Sequence, residues 1–465
     1  MKKRFFRFEL FDETGLDAQT IKSLKLVILG VAFGTISFNI TGGISMTGYL
    51  KELGASDFTF GLLYAIGPIA APVQLLASYI LERTRKRKFL FLTTGIIQRM
   101  SWLPFGLVPF YISMSDSALR IWMASLCLIV SGFFNPFINV TFSSLAADLV
   151  PMNIRGSYFA VRSRIATMFG VAGGILTAWF LDAFTGFNSY AFVFTLAAVM
   201  GTLDIVSFFG VKFPPMHNSS QDGKSETFVK MMSEVIKNKT YLKFILFMTL
   251  WQFSVNLSGP FYLVYLRNVV FLSNTFITGL VQILPSVCSI IVVKRWGRAI
   301  DAHGNKTIMH LANGILSFAP FLWIFIPANP FAVAMTAIIM LMQGCLASGF
   351  DISANNIMLG HAPRANRSMY IAVYFTVTSM IGVGAANAAG GWLLENVFSV
   401  FEKMNLIILG VNMTRYNYIF ALTAILRFAA IYIALPRLIH EENNTPVKEV
   451  LNGFLTSAKN IIKRK

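Results

Sequence analysis

The sequence predicts an all-α membrane protein with twelve transmembrane helices in two pseudo-symmetric six-helix bundles. Three observations carry this expectation. The 465 residues are 55% hydrophobic and 13% charged, with mean hydropathy +0.63, whereas a soluble chain carries about 25% charged residues. The apolar residues fall into twelve stretches, each near the ~20 residues that cross a bilayer as helix. And the second half of the chain repeats features of the first at a nearly constant spacing, as internally duplicated transporters do.

In chain order the expected spans are 24–50, 58–81, 89–111, 118–146, 158–181, 188–211, 241–266, 273–296, 307–327, 330–359, 369–394 and 415–436, numbered here spans 1 to 12. The expected organisation is a cytoplasmic N-terminal segment (1–23), a first bundle (24–211), a linker (212–240), a second bundle (241–436) and a cytoplasmic tail (437–465). Phe228, Met231, Met232, Val235 and Ile236 recur at helical spacing in the linker, which predicts an amphipathic surface helix. Val447, Val450, Leu451, Phe454, Ile461 and Ile462 predict a similar helix in the tail. The first apolar run has no small-residue cleavage site and is too long for a signal peptide, so it is expected to remain in the protein.

Basic residues set the expected orientation. With both termini inside, 32 of the 39 Lys and Arg fall on inner segments and 5 on outer ones. The positive-inside rule therefore places both termini in the cytoplasm of a plasma (inner) membrane. The net charge of +18 then reflects topology and not nucleic-acid binding.

The duplication is legible residue by residue. Ser37-Phe38-Asn39-Ile40-Thr41-Gly42 of span 1 matches Ser254-Val255-Asn256-Leu257-Ser258-Gly259 of span 7 at an offset of 217, and Pro68 matches Pro285. Pro151, Arg155, Tyr158, Gly132 and Gly170 match Pro363, Arg367, Tyr370, Gly344 and Gly382 at an offset of 212. Between spans 8 and 9 runs Gly297-Arg298-Ala299-Ile300-Asp301-Ala302-His303-Gly304-Asn305-Lys306. Between spans 2 and 3 its counterpart begins Ser78-Tyr79-Ile80-Leu81-Glu82-Arg83, with Asp301 and Glu82 offset by 219.

The loop at 297–306 resembles the signature G-x-L-a-D-r-x-G-r-k of the major facilitator superfamily. It keeps both glycines and the acid, whereas the earlier copy has Ser78, Glu82 and Arg85 at those positions. Asp148-Leu149-Val150-Pro151 with Arg155-Gly156 also looks like that family's loop between helices 4 and 5. Gly170, Gly173 and Gly174 of span 5 are a loose relative of the antiporter glycine motif, without its proline. The resemblance implies an alternating-access transporter with spans 1, 4, 7 and 10 lining a central path.

Candidate functional residues follow from polarity at membrane depth, where ionisable side chains are costly. Arg99, Asp204, Asp351 and Arg427 are such residues. At 1.5 Å per helical residue, Arg99 and Asp351 lie roughly 16 Å from the inner ends, Arg427 about 14 Å and Asp204 about 12 Å. The expectation is two neutralised pairs, Arg99 with Asp204 and Asp351 with Arg427, the second a candidate for proton coupling. Asn39 and Thr41 in span 1, Asn135 and Asn139 in span 4, Trp251, Gln252 and Asn256 in span 7, and Gln343, Asp351 and Asn355 in span 10 are the candidate substrate path. Asn39 and Asn256 are each followed by Thr or Ser and then Gly, and in span 7 by Pro260, which predicts helix breaks whose freed backbone groups require a cavity or protein lining. Glu82, Arg83, Arg155, Gly297, Asp301, Gly304 and Arg367 are expected to form a conformational latch. In it each acid meets a helix N-terminus and the glycines make tight turns.

A polytopic enzyme or receptor is the alternative. Its expected signature, a His, Asp or Cys cluster at depth, is missing from the sequence: the five histidines are scattered near inner loops, and none pairs with the three cysteines. There is no P-loop. We expect no metal, cofactor or nucleic acid, and a monomer in the lipid bilayer that carries a small solute, with protons or another ion as coupling partner. The asparagines suit a neutral sugar or glycoside for uptake. A lone acid among greasy helices equally suits efflux of a drug-like cation.

Overall fold

Each of the twelve apolar stretches is helical in the computed structural model, which describes residues 16–113, 116–152, 154–215, 228–327, 329, 331–363, 367–408, 411–439, 445–446 and 449. Among these residues nine helical stretches are long and apolar enough to cross a membrane unaided. The other three spans are each divided. Span 3 is Arg87–Met100 and Trp102–Tyr111, span 7 is Lys239–Asn256 and Phe261–Asn268, and span 9 is Asn305–Leu316 and Ala319–Trp323. Pro260 and Pro320 stand at the restarts of spans 7 and 9, where the missing N–H costs no helical bond.

The chain divides into two compact units: Met1–Ala55 with Ile66–Ser225, and Ser56–Ala65 with Glu226–Lys465. This departs from the expected boundary, because the first turns of span 2 cluster with the second unit. Polar contacts hold them there. Asp57 pairs with Arg415 at 2.8 Å, the Phe58 N–H donates to Glu395 at 2.8 Å, and Asn387 donates to the Tyr64 carbonyl.

In the first unit span 1 (Ala18–Thr41, then Gly43–Glu52) packs along spans 5 and 6 (Arg155–Ala183 and Phe187–Ser207). Lipid tails are as apolar as leucine, so helices in a bilayer associate through close packing and small residues. Here a Cβ on Gly173 would press on Ile36, and one on Gly106 would press on Phe194. Tyr49, Phe105, Tyr190 and Phe194 form an aromatic core at one end, where the Tyr49 hydroxyl donates to the Phe105 carbonyl. At the other end Leu24, Phe91, Leu145, Tyr158 and Phe208 are buried together.

In the second unit span 10 (Phe331–His361) packs on spans 8 and 9, and span 7 packs on span 11. A Cβ on Gly344 would collide with the Pro285 backbone, and one on Gly349 with the Trp296 ring, whose Nε1 donates to the Cys345 carbonyl at 2.6 Å. The linker helix forms as Phe228–Lys237. Its Val235 is buried, Met232 is packed against the same core and Ile236 is exposed. The Tyr370 hydroxyl donates to the Glu234 carbonyl, and Asn238 caps the N-terminus of span 7 by accepting from the Tyr241 N–H. The side chains of Phe228 and Met231, and the expected tail helix, lie outside the described residues.

Two features were not legible in advance. Spans 8, 11 and 12 contain π-helical turns, at Gly279–Ile283, Thr378–Ala385, Leu394–Phe398 and Ala429–Ala434. The loop before span 12 folds into a small antiparallel hairpin pairing Ile407 with Asn412 and Ile408 with Val411. Large apolar side chains such as Trp122, Trp179, Ile290 and Ile291 are more than half exposed. Lipid-facing helices present such surfaces, and water-facing ones do not.

Candidate functional site

Each unit contains one of the two expected helix breaks. Span 1 stops at Thr41, where Gly42 is extended (φ −112°, ψ −168°) and Gly43 takes φ 55° before the helix resumes. Span 7 stops at Asn256 and resumes at Phe261. The two asparagines behave alike. Asn39 Nδ2 donates to the Thr35 carbonyl at 2.9 Å, and Asn256 Nδ2 donates to the Gln252 carbonyl at 2.8 Å. Thr41 likewise returns its hydroxyl to the Ser37 carbonyl at 3.0 Å. A helix from the same unit approaches each break through a matching glycine. A Cβ on Gly170 would lie 2.7 Å from Asn39 Nδ2, and one on Gly382 would lie 2.8 Å from the Gln252 Cβ.

Spans 4 and 10 each carry a polar stripe within their own unit. Asn135 and Asn139 are exposed one turn apart on Ser117–Leu149. Gln343, Asp351 and Asn355 are exposed at multiples of four residues on Phe331–His361, hence on one face. Asn355 Nδ2 donates to the Asp351 carbonyl at 2.9 Å. Gln252 is half-buried. Trp251, a candidate for the substrate path, is buried instead of lining an open face. It is 4% exposed, with its ring 5.2 Å from that of Phe350.

The buried charges divide differently from expectation. Arg99 and Asp204 meet at 2.9 Å. Small residues make the space: a Cβ on Gly30 or Gly34 would overlap Asp204, and one on Gly201 would overlap Arg99. Asp351 and Arg427 do not meet. Asp351 is exposed, whereas Arg427 is 5% exposed with its guanidinium 5.8 Å over the Trp251 ring. The two residues point away from a common contact because span 12 turns Arg427 toward span 7 and span 10 presents Asp351 on its polar face.

Comparison with known proteins decides the family. The sequence profile of the Major Facilitator Superfamily matches residues 26–296 and 271–465. The chain belongs to this superfamily. Solved structures agree in fold. A bacterial homologue of the human lysosomal transporter Spinster, inward-facing and occupied, superposes with TM-score 0.70 at 14% identity, covering 93% of this chain and 100% of that one. The nucleoside transporter NupG gives TM-score 0.64 at 14% identity over 90% and 100% of the two chains. A D-xylose–proton symporter gives 0.63 at 15% identity over 92% and 99%. No curated protein matches the sequence. As a superfamily member the protein is a secondary active transporter and a multi-pass membrane protein.

The superfamily's charged loops are built here in a way the sequence showed only in part. Gly304 makes the expected turn, with φ 85°, while Gly297 lies inside the helix Leu284–His303. Glu82 and Asp301 are exposed within their own units. Arg83 donates to the Tyr79 hydroxyl at 3.2 Å. Among the described residues Arg155 pairs with no acid. Its Nη2 donates to the Ala147 and Val150 carbonyls, closing the C-terminal end of span 4. Arg367 is exposed at the start of span 11.

A different residue ties the first unit's loop: Arg87, 3% exposed, reaches Asp148 at 2.6 Å, Ser144 at 3.0 Å and the Pro214 carbonyl. Sequence reading passed over Arg87 because it sits in a run of five cations. Asp148, inside the motif-like Asp148-Leu149-Val150-Pro151, was the available signal. The second unit makes the analogous tie through uncharged groups. The Thr307 hydroxyl donates to the Thr445 carbonyl at 2.6 Å, and the Thr445 N–H donates to the His303 carbonyl at 3.2 Å.

Proposed function

We propose that this transporter moves a small solute by alternating access along the polar faces of spans 1, 4, 7 and 10, and that Asp351 carries the coupling proton. The protein acts as a monomer in the inner membrane, with both termini in the cytoplasm. The observation that carries the coupling reading is Asp351 itself: an exposed carboxylate at the depth counted for mid-membrane, with no cation paired to it among the described residues, in line with Gln343 and Asn355. A charge facing lipid at that depth is prohibitively costly, so the stripe is best accounted for as lining water. A carboxyl group whose surroundings alternate between wet and dry takes up and releases protons as they change. A protein named as a D-xylose–proton symporter among the solved structures of this fold supports the coupling reading.

The test uses purified protein in liposomes. Asp351→Asn should abolish solute accumulation driven by a pH gradient and leave solute exchange at equal pH intact. Gradient-driven accumulation that survives the substitution would remove Asp351 as the proton carrier. A counterflow screen with sugars, nucleosides, organic acids and organic cations identifies the solute.

A further inference from the structure

The second unit contains a buried cation that no carboxylate neutralises. Arg427 is 5% exposed, its Nε has no hydrogen-bond partner, and among the described residues no Asp or Glu lies within ion-pair distance. The first unit shows how this scaffold treats an arginine held for structure. Arg99 is paired with Asp204 at 2.9 Å, and three glycines clear the space. Arg427 has no such arrangement.

What surrounds Arg427 is suited to an anion. Its guanidinium lies over the Trp251 ring, which leaves the N–H edge for another partner. Hydroxyls supply the rest of the setting. Thr423, one turn before Arg427, donates to Ser258 at 3.0 Å, and Ser258 donates to the Tyr262 hydroxyl at 3.0 Å. Tyr262 lies within electrostatic range of Arg427 and stacks on Phe420 with ring centroids 4.6 Å apart. Directly after Arg427 span 12 widens into the π-helical turn Ala429–Ala434, a departure that often accompanies functional positions.

We propose that Arg427, backed by Trp251, is an anion-binding site, and that the transported solute presents a carboxylate or phosphate group to it. The second clause rests on the transport reading above. The site itself does not. An acidic solute fits better than a cationic one, which an unpaired guanidinium would repel. The guanidinium lies 5.8 Å from the centre of the Trp251 ring, so an anion held by Arg427 lies close to that ring, and the ring reports its arrival.

The test is quenching of tryptophan fluorescence by iodide, a stand-in anion. The protein has 7 tryptophans, and the difference between wild type and Trp251→Phe isolates the one of interest. That component should be quenched by iodide along a saturating curve, and inorganic phosphate should compete. Arg427→Gln should reduce the iodide quenching several-fold while quenching by neutral acrylamide is unchanged, and Arg427→Lys should retain part of it. If the Trp251 component is insensitive to iodide, is quenched only linearly, or is quenched equally in Arg427→Gln, the anion site is excluded. The saturation and competition arms need no variant of Arg427, so a poorly folding substitution leaves the test standing. Quenching that behaves as expected in a protein that exchanges no solute would overturn the transport reading and leave the anion site in place.

Discussion

Arg85 shows how a duplicated fold constrains single residues. Its counterpart at the 219 offset is Gly304, which adopts φ 85° at the turn between spans 8 and 9. Arg85 adopts φ 54° at the equivalent turn between spans 2 and 3. The chain needs a left-handed residue at both places, and a side chain makes that conformation costly. Arg85→Gly should therefore raise stability by up to about 1 kcal/mol, the usual size of such relief. Thermal unfolding in detergent reads it as a higher melting temperature. An unchanged or lowered value would mean that the arginine side chain contributes more than its backbone strain costs. The buried charges teach a related lesson. Removing one partner of a buried ion pair costs about 3–5 kcal/mol, so Arg99 and Asp204 hold spans 3 and 6 in register, whereas Arg427 is left uncompensated by its own unit.

At the scale of elements, glycine decides where helices touch. A side chain on Gly344 would meet the backbone of Pro285 and the Cβ of Cys288 on span 8, neither of which can swing aside. Gly344→Ala should cost about 1–3 kcal/mol, as overpacked cores do, and should lower the yield of monodisperse protein. Gly360→Ala, on the same helix with nothing within 4 Å of the added Cβ, is the control and should behave as wild type. Equal yields from the two would show that the crossing of spans 8 and 10 is looser than the structure has it. The breaks in spans 1 and 7 belong to this scale as well. A glycine three residues after an asparagine announces them in the sequence, because glycine frees the backbone and the asparagine amide returns a hydrogen bond to its own helix. The π-helical turns of spans 11 and 12 have no comparable residue signature.

At the scale of the whole molecule, charge placement and the repeat act together. The excess of Lys and Arg on one side of the spans predicts a single orientation. Thr84→Cys and Lys403→Cys, both at exposed positions that this orientation puts on opposite sides, test it. A membrane-impermeant maleimide applied to intact spheroplasts should label Lys403→Cys and leave Thr84→Cys unlabelled until the membrane is opened. The reverse pattern would overturn the orientation. The repeat reaches into hydrogen-bond detail, as the matched donors of Asn39 and Asn256 show, so both units are variations on one packing solution.

The sequence by itself determined the helical membrane class, the positions of the spans, the duplication, the superfamily and the two breaks. Each is written along one dimension, as hydropathy, spacing or a glycine next to a polar residue. Tertiary structure alone decided that Arg87 ties the first unit's loop, that Gly297 is helical, that Trp251 is buried, and that Asp351 and Arg427 stand apart. Depth along a helix can be counted from sequence, but the direction a side chain faces depends on how each helix is rotated in its bundle. A single π-helical turn shifts that rotation by one residue, enough to send a charge to a different neighbour.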